Sequence, residues 1–251
     1  MLSEQYLIEI ILKREEISDI SEYPFCLNAF RNLNRLKLHP NVTFFVGENG
    51  TGKSTFLEAV AVANGFNPEG GTKNFGFNTR DSHSVLGKYI RCSRGVKKPK
   101  DGYFLRAESF FNVASEIEAL DREFSFGPPI IESYGGRSLH EQSHGESFFA
   151  LLMNRFSENS LFILDEPEAA LSPSRQMSMI CRMNELVNKN CQFLVATHSP
   201  ILMAYPDADI LVLGDDGIVK TDYKETDHYR VMKSFMNNPE GMVRQLLEPP
   251  T

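Results

Sequence analysis

The chain has 251 residues, 41% of them hydrophobic, which is enough for one large α/β domain or two small ones with a sizeable core. A formal charge of −7 and a pI near 5.5 argue against a surface that grips nucleic acid everywhere, because counterion release needs clustered Lys and Arg. Four cysteines, Cys26, Cys92, Cys181 and Cys191, lack zinc-ligand spacing and read as reduced, mostly buried thiols of a cytosolic protein.

The N-terminal MLSEQYLIEIILKREE has no basic start before an apolar core, and Glu9 interrupts its apolar run, so it does not read as a signal peptide. Nowhere does a segment approach the roughly 18 consecutive apolar residues of a membrane span. Residues 6–12 and 36–38 predict short strands, and VTFFV at 42–46 a buried strand entering a glycine-rich loop. Good helix formers at 55–64 predict a helix that stops at Gly65. The stretch 65–102, rich in Gly, Asn, Ser and Lys, predicts an irregular surface excursion.

Residues 103–105 then predict a strand and 108–123 an amphipathic helix, followed by a loop with Pro128, Pro129, Gly135 and Gly136. A second helix is expected at 146–156. Beyond it the pattern alternates: strand 161–164, helix 174–189, strands 192–196 and 210–213, and a turn at Asp215, Asp216 and Gly217 into Ile218 and Val219. Fully apolar strands alternating with helices imply a parallel sheet covered on both faces.

Residues 47–55, GENGTGKST, complete a G-x-x-x-x-G-K-[ST] phosphate loop between a strand and a helix. The backbone of Gly47, Glu48, Asn49, Gly50, Thr51 and Gly52 is expected to wrap a β-phosphate, aided by the positive helix end that begins near Thr55. Lys53 is placed to reach the β- and γ-phosphates and Ser54 to ligate Mg²⁺. LFILDEPE at 161–168 delivers Asp165 and Glu166 to the C-terminal end of a strand, where ligands of parallel sheets bind. Asp165 is read as a Mg²⁺ partner and Glu166 as the group that orients or deprotonates an attacking water; acids in that position also serve as mere turn caps. His198, after the strand 192–196, is read as a γ-phosphate contact, against the alternative of a satisfied strand-end polar residue. QSHGES at 142–147 is on its face a capping box of Ser143 and Glu146; Ser143 and Gly145 at a helix N-terminus also suit a phosphate.

Together these motifs resemble the ABC ATPase superfamily. QSHGES is similar to a divergent signature motif, ALSP at 170–173 to the loop after Walker B, and THSP at 197–200 to the switch-histidine loop. Phrases such as NLNRL, VTFFVGENGTGKST, FLRAESFFN, LDEPEAALSP and ATHSPIL resemble small stand-alone bacterial AAA/ABC-like ATPases, related to RecF/SMC-like and OLD-family ATPase domains. The resemblance runs from roughly residue 20 to the end. It implies a single ABC-type ATPase domain over 1–251: an α/β P-loop NTPase with a mainly parallel central sheet, N-terminal antiparallel strands and a small helical subdomain at 105–156. Two features depart from it. Transporter-type members carry a Gln after the strand leading to the helical subdomain, where this chain offers Arg106 and Glu108, and His144 replaces the first signature Gly. Phe30, Arg31 and Asn32 stand as candidate contacts near the base or ribose.

The resemblance further implies ATP and Mg²⁺ as cofactors, with Lys53, Glu166 and His198 as the catalytic set. It implies a homodimer formed on ATP binding that drives a separate effector protein, in DNA maintenance or phage defence. DNA contact, if made, is expected at Arg91, Arg94, Lys97, Lys98 and Lys100, the dense basic stretch, which otherwise reads as a solvated loop. The alternatives are the nucleotide-binding subunit of a membrane transporter and a slow ATP-dependent interaction switch.

Overall fold

A computed structural model describes residues 5–73, 84–107, 110–122, 129–141 and 143–248. In chain order its strands are β1 (Leu7–Leu12), β2 (Arg35–Lys37), β3 (Val42–Val46), β4 (Ile90–Arg94), β5 (Asp101–Arg106), β6 (Ser160–Asp165), β7 (Gln192–Ala196), β8 (Ala208–Gly214) and β9 (Gly217–Thr221). The helices are α1 (Asn28–Arg31), α2 (Lys53–Ala63), α3 (Leu86–Tyr89), α4 (Phe110–Arg122), α5 (His144–Ala150), α6 (Pro173–Val187), α7 (Asp227–Asn237) and α8 (Pro239–Leu247).

The central sheet has the order β5-β6-β7-β3-β8-β9, parallel except for the hairpin partner β9. β3, β6 and β7 are buried at every residue, as strands sandwiched between two layers must be. Adjacent side chains point to opposite faces, and this sorts the core in two. Phe44, Phe162 and Phe193 pack on one side with Phe148 and Leu151, and with Met179 and Met183 of α6. Phe45, Ile163 and Leu194 pack on the other with Phe56, Leu57 and Val60 of α2. That second layer is closed by an antiparallel sheet, β2-β1-β4, whose Leu7, Ile10 and Leu12 face inward. Burial of each such side chain contributes about 1.5–3 kcal/mol.

Several sequence expectations need correction. The excursion at 65–102 contains α3 and β4, which pairs along β1 with the register Ile10↔Cys92 and Leu12↔Ile90. β4 is an edge strand in which only Ile90 is fully buried, so its sequence carries little apolar signal. α2 starts at Lys53, two residues before the expected start, because Gly52 adopts the left-handed conformation at its N-cap (φ 99°). The second expected helix divides into α5 and a π-turn, Leu151–Arg155. Residues 108, 109 and 123 of the other expected helix lie outside the described residues, as do Pro128 and Gln142. Among the cysteines only Cys191 is buried; Cys92 is half-buried, Cys26 and Cys181 are exposed, and all four are free. The C-terminal pair α7 and α8, absent from the sequence reading, follows the turn cap of Thr226, whose hydroxyl accepts from the Tyr229 N–H at 3.3 Å. Among the described residues no helix is long and apolar enough to cross a membrane.

Candidate functional site

β3, β7 and β6 end side by side, and the residues that follow them form the site. Two backbone bonds extend the ladder past the strands: Thr197 N–H donates to Phe45 O at 3.1 Å, and Glu166 N–H to Ala196 O at 3.0 Å. The loop after β3, the acids of β6 and the histidine after β7 are therefore fixed relative to one another by main chain, independent of side-chain packing.

The 47–52 loop is a cradle that side chains would fill. Gly47 has φ 151°, and a Cβ there would lie 2.4 Å from Leu213 O. A Cβ at Gly52, also left-handed, would lie 2.8 Å from Leu27 Cδ1. Asn49 and Gly50 are exposed at the tip, while Thr51 closes the turn by donating its hydroxyl to Glu48 O at 2.9 Å. Lys53 is buried, and its ammonium donates to Gly47 O at 2.8 Å and Glu48 O at 3.0 Å. Burial lowers its pKa, against the opposing fields of Glu166, Asp165, Glu48 and Glu168. The ammonium thus sits inside the loop, surrounded by carboxylates and aimed along carbonyls that a phosphate would replace as partners.

Ser54 Oγ donates to Asp165 Oδ1 at 3.0 Å, joining the start of α2 to the end of β6. Among the described residues no cluster of three or more His, Cys, Asp or Glu could hold a metal ion. A divalent cation at Ser54 and Asp165 would therefore draw its remaining oxygens from phosphate and water, the mode that suits Mg²⁺. The residues present fit Mg-ATP on these grounds.

Glu166 turns the chain out of β6 in the left-handed region (φ 52°, ψ 51°). A non-glycine residue held there is uncommon and concentrates at functional sites. Its Oε1 lies 3.6 Å from His198 Nε2. The His198 backbone N–H donates to Glu168 Oε1 at 2.6 Å, so a second carboxylate holds the histidine loop. Burial raises the pKa of Glu168, and burial followed by the Lys53 charge lowers that of His198. On its other side His198 Nδ1 meets His228 Nε2 of α7 at 3.2 Å.

Ser143 and Gly145 stand apart from this group. Among the described residues no hydrogen bond or ion pair joins them to Lys53, Glu166 or His198. Instead the Glu146 carboxylate accepts from the Ser143 N–H at 3.0 Å and from its hydroxyl at 2.6 Å, the reciprocal half of a capping box. Gly145 lies tight against the loop after β6: a Cβ there would be 2.7 Å from Ala170 O and 2.6 Å from Arg175 Nη1.

Three contacts in or near the site escaped the sequence reading. Tyr23, with 62% of its surface exposed, places its hydroxyl 2.7 Å from Thr55 Oγ1, beside the phosphate loop. Arg106, where a Gln was expected from the resemblance, pairs with Glu58 of α2 at 2.8 Å and also donates to Pro68 O at 3.3 Å. Glu108 lies outside the described residues. His228 comes from a helix that carries no motif. The candidate base contact Phe30 is corrected: its ring is buried and stacks on Phe56, with centroids 5.8 Å apart, leaving only Arg31 and Asn32 exposed.

Known proteins resemble this chain in sequence and in fold. An AAA domain family profile matches residues 27–133, and an AAA ATPase domain family profile matches residues 145–203. An ABC transporter ATP-binding protein of Caldanaerobacter subterraneus subsp. tengcongensis is 28% identical over 193 residues, 71% of this chain and 78% of that protein. The energy-coupling factor transporter ATP-binding protein EcfA2 of Mycoplasma capricolum is 24% identical over 96% of this chain and 86% of its own length. A solved metal-chelate-type ABC transporter in an inward-facing conformation aligns with 91% of this chain and 88% of its own, at a TM-score of 0.51 and 16% identity, a likeness of fold. Over 27–133 and 145–203 the chain is thus similar to AAA/ABC-type ATPase domains, and it has their α/β P-loop nucleotide-binding fold.

Proposed function

We propose that this chain binds Mg-ATP and hydrolyses its terminal phosphate, at a site that a second copy completes. One observation carries the reading: Lys53, the Ser54–Asp165 pair and the Glu166–His198 pair meet at the ends of three adjacent parallel strands. The backbone of residues 47–52, Lys53 and Thr55 would bind the phosphates, and Ser54 with Asp165 would hold the cation. The bound cation neutralises charge on the phosphate oxygens. Glu166, held beside His198, orients or deprotonates water, and His198 contacts the terminal phosphate.

The second copy enters because, among the described residues, no hydrogen bond or ion pair joins the chain's own Ser143 or Gly145 to Lys53, Glu166 or His198. A phosphate loop and Walker B cover one side of a nucleotide and leave its terminal phosphate open. A partner's helix start, bearing Ser143 and Gly145, suits an anion there and would exclude water. The Ser143 hydroxyl must leave Glu146 to do this.

The test is Glu166→Gln. It should bind ATP with wild-type affinity, sediment as a dimer in ATP, and turn over about 10²- to 10⁴-fold more slowly. Near wild-type turnover sinks the role of Glu166, and a monomer in saturating ATP sinks the composite site.

For the process served, the RecF/SMC-like resemblance supports an ATP-gated dimer that drives a separate effector in DNA maintenance or phage defence. Arg91, Arg94, Lys97, Lys98 and Lys100 are exposed along and beyond the edge strand β4, where DNA contact would concentrate. The names of the curated relatives support a second reading, the nucleotide-binding subunit of a membrane transporter. Recovery of tagged Glu166→Gln protein in ATP with the membrane fraction favours the transporter; recovery with DNA favours the first.

A further inference from the structure

We infer that His228 is a positioning residue for His198: its Nε2–H donates to His198 Nδ1 and keeps the His198 proton on Nε2. This rests on the reading of His198 as a contact to the terminal phosphate, and it assigns a role to α7, a helix outside every motif. The two ring nitrogens are 3.2 Å apart and the ring centroids 5.4 Å apart at 49°. A single proton lies between two neutral imidazoles, so one ring donates and the other accepts. What faces the remaining nitrogen decides which. His198 Nε2 lies 3.6 Å from Glu166 Oε1, an acceptor that favours a proton on that nitrogen. Were His198 to donate from Nδ1 instead, a bare Nε2 lone pair would face the carboxylate. It would also be unable to donate to a phosphate oxygen.

Both rings are disposed to stay neutral. Burial foremost lowers the pKa of each, and the Lys53 charge adds to it for both. His228 also occupies the first turn of α7, where the helix field disfavours a cation. Its place is fixed from two directions. Buried Thr226 caps the helix, and Tyr223, just before it, donates its hydroxyl to Pro200 O at 2.9 Å, two residues after His198. The histidine loop and the start of α7 are therefore joined by a second hydrogen bond besides the imidazole pair, which supports the placement of His228 against His198.

Two measurements test this. In ¹⁵N-labelled nucleotide-free protein, long-range ¹H–¹⁵N spectra should show His198 protonated on Nε2, with a hydrogen-bonded, unprotonated Nδ1. Protonation on Nδ1 overturns the inference whether or not the protein hydrolyses ATP. In kinetics, His228→Phe should lower kcat about tenfold, the rate equivalent of one hydrogen bond, with KM for ATP within about twofold of wild type. His228→Gln keeps a donor near the position of Nε2 and should recover most of that loss, whereas a purely packing role would favour Phe over Gln. Unchanged kcat in His228→Phe, or equal losses in both variants, overturns the inference. Full activity in His198→Ala would instead sink the role of His198 in the proposed function and leave the spectra to decide His228.

Discussion

The Ser54 hydroxyl bonds Asp165 Oδ1 at 3.0 Å across 111 residues of sequence, so the first turn of α2 and the last residue of β6 already share one polar contact. If Mg²⁺ is held there as proposed, the Ser54 hydroxyl would turn to the ion and Asp165 would hold it directly or through its hydration shell. Asp165→Asn leaves the shape and removes the charge. Calorimetric titration of wild type should show ATP affinity falling when Mg²⁺ is replaced by a chelator. In Asp165→Asn the chelator should make little further difference, and a full Mg²⁺ dependence in that variant places the ion elsewhere.

Gly145 is placed by contact and not by backbone freedom, since its conformation is helical. Gly145→Ala would ordinarily stabilise a helix, yet its Cβ meets Ala170 O and Arg175 Nη1 inside van der Waals distance. The arginine end can shift; the carbonyl belongs to main chain. The expected outcome in thermal or urea unfolding is a loss of about 1–3 kcal/mol. Gly87→Ala in α3, whose Cβ would find only ordinary contacts of 3.4 Å and beyond, should instead be neutral or gain about 0.5–1 kcal/mol. A stabilised Gly145→Ala would mean that α5 moves off the loop after β6 at no cost.

Contiguous chemistry was legible in the sequence and long-range pairing was not. Residues 47–55 and 161–168 could be placed because a phosphate loop and an acid-tipped strand each need only local order, and strand ends of a parallel sheet converge by topology. The order β6-β7-β3 then brings Asp165, His198 and Lys53 together without any further signal. By contrast, His228 and Tyr23 reach the site through single side-chain contacts to residues 30 and 32 positions away, and neither stands in a pattern of its own. β4 was invisible because an edge strand needs only one buried side chain.

Arg106 and Glu58 illustrate the same limit and carry a prediction. Their 2.8 Å ion pair lies between the end of β5 and α2, with side-chain exposures of 19% and 9%. Removing one partner from a mostly buried pair strands the other charge, whereas removing both does not. Arg106→Met should cost about 3–5 kcal/mol in urea unfolding, and Arg106→Met with Glu58→Leu should recover most of that. Additive losses in the double variant would show that the pair is not coupled. Because the guanidinium points at Glu58, Arg106→Gln should lower stability and need not create the contacts that a transporter-type Gln makes.

The His198–His228 pair also sets a pH dependence of folding. Both pKa values lie below the ordinary 6.5, with burial the largest cause; Lys53 and Glu166 act next on His198, Glu48 and Lys53 on His228, with Asp227 also beside the latter. Above pH 6.5 neither the folded nor the unfolded chain protonates these rings, and their contribution is fully present. As pH falls below 6.5 the unfolded chain takes up protons that the folded chain refuses, so stability drops until the lowered folded values are reached. Glu168 acts in the opposite sense at lower pH, since its raised carboxyl takes up a proton in the folded state before the unfolded one does. The two effects separate in a His198→Phe, His228→Phe protein, which keeps Glu168 and loses both imidazoles. Urea midpoints of the nucleotide-free wild type should fall between about pH 7.5 and about pH 5.5, and those of the double variant should fall less over the same range. An equal slope in both proteins would mean that other groups carry the acid sensitivity and that the pair is not held neutral by the fold.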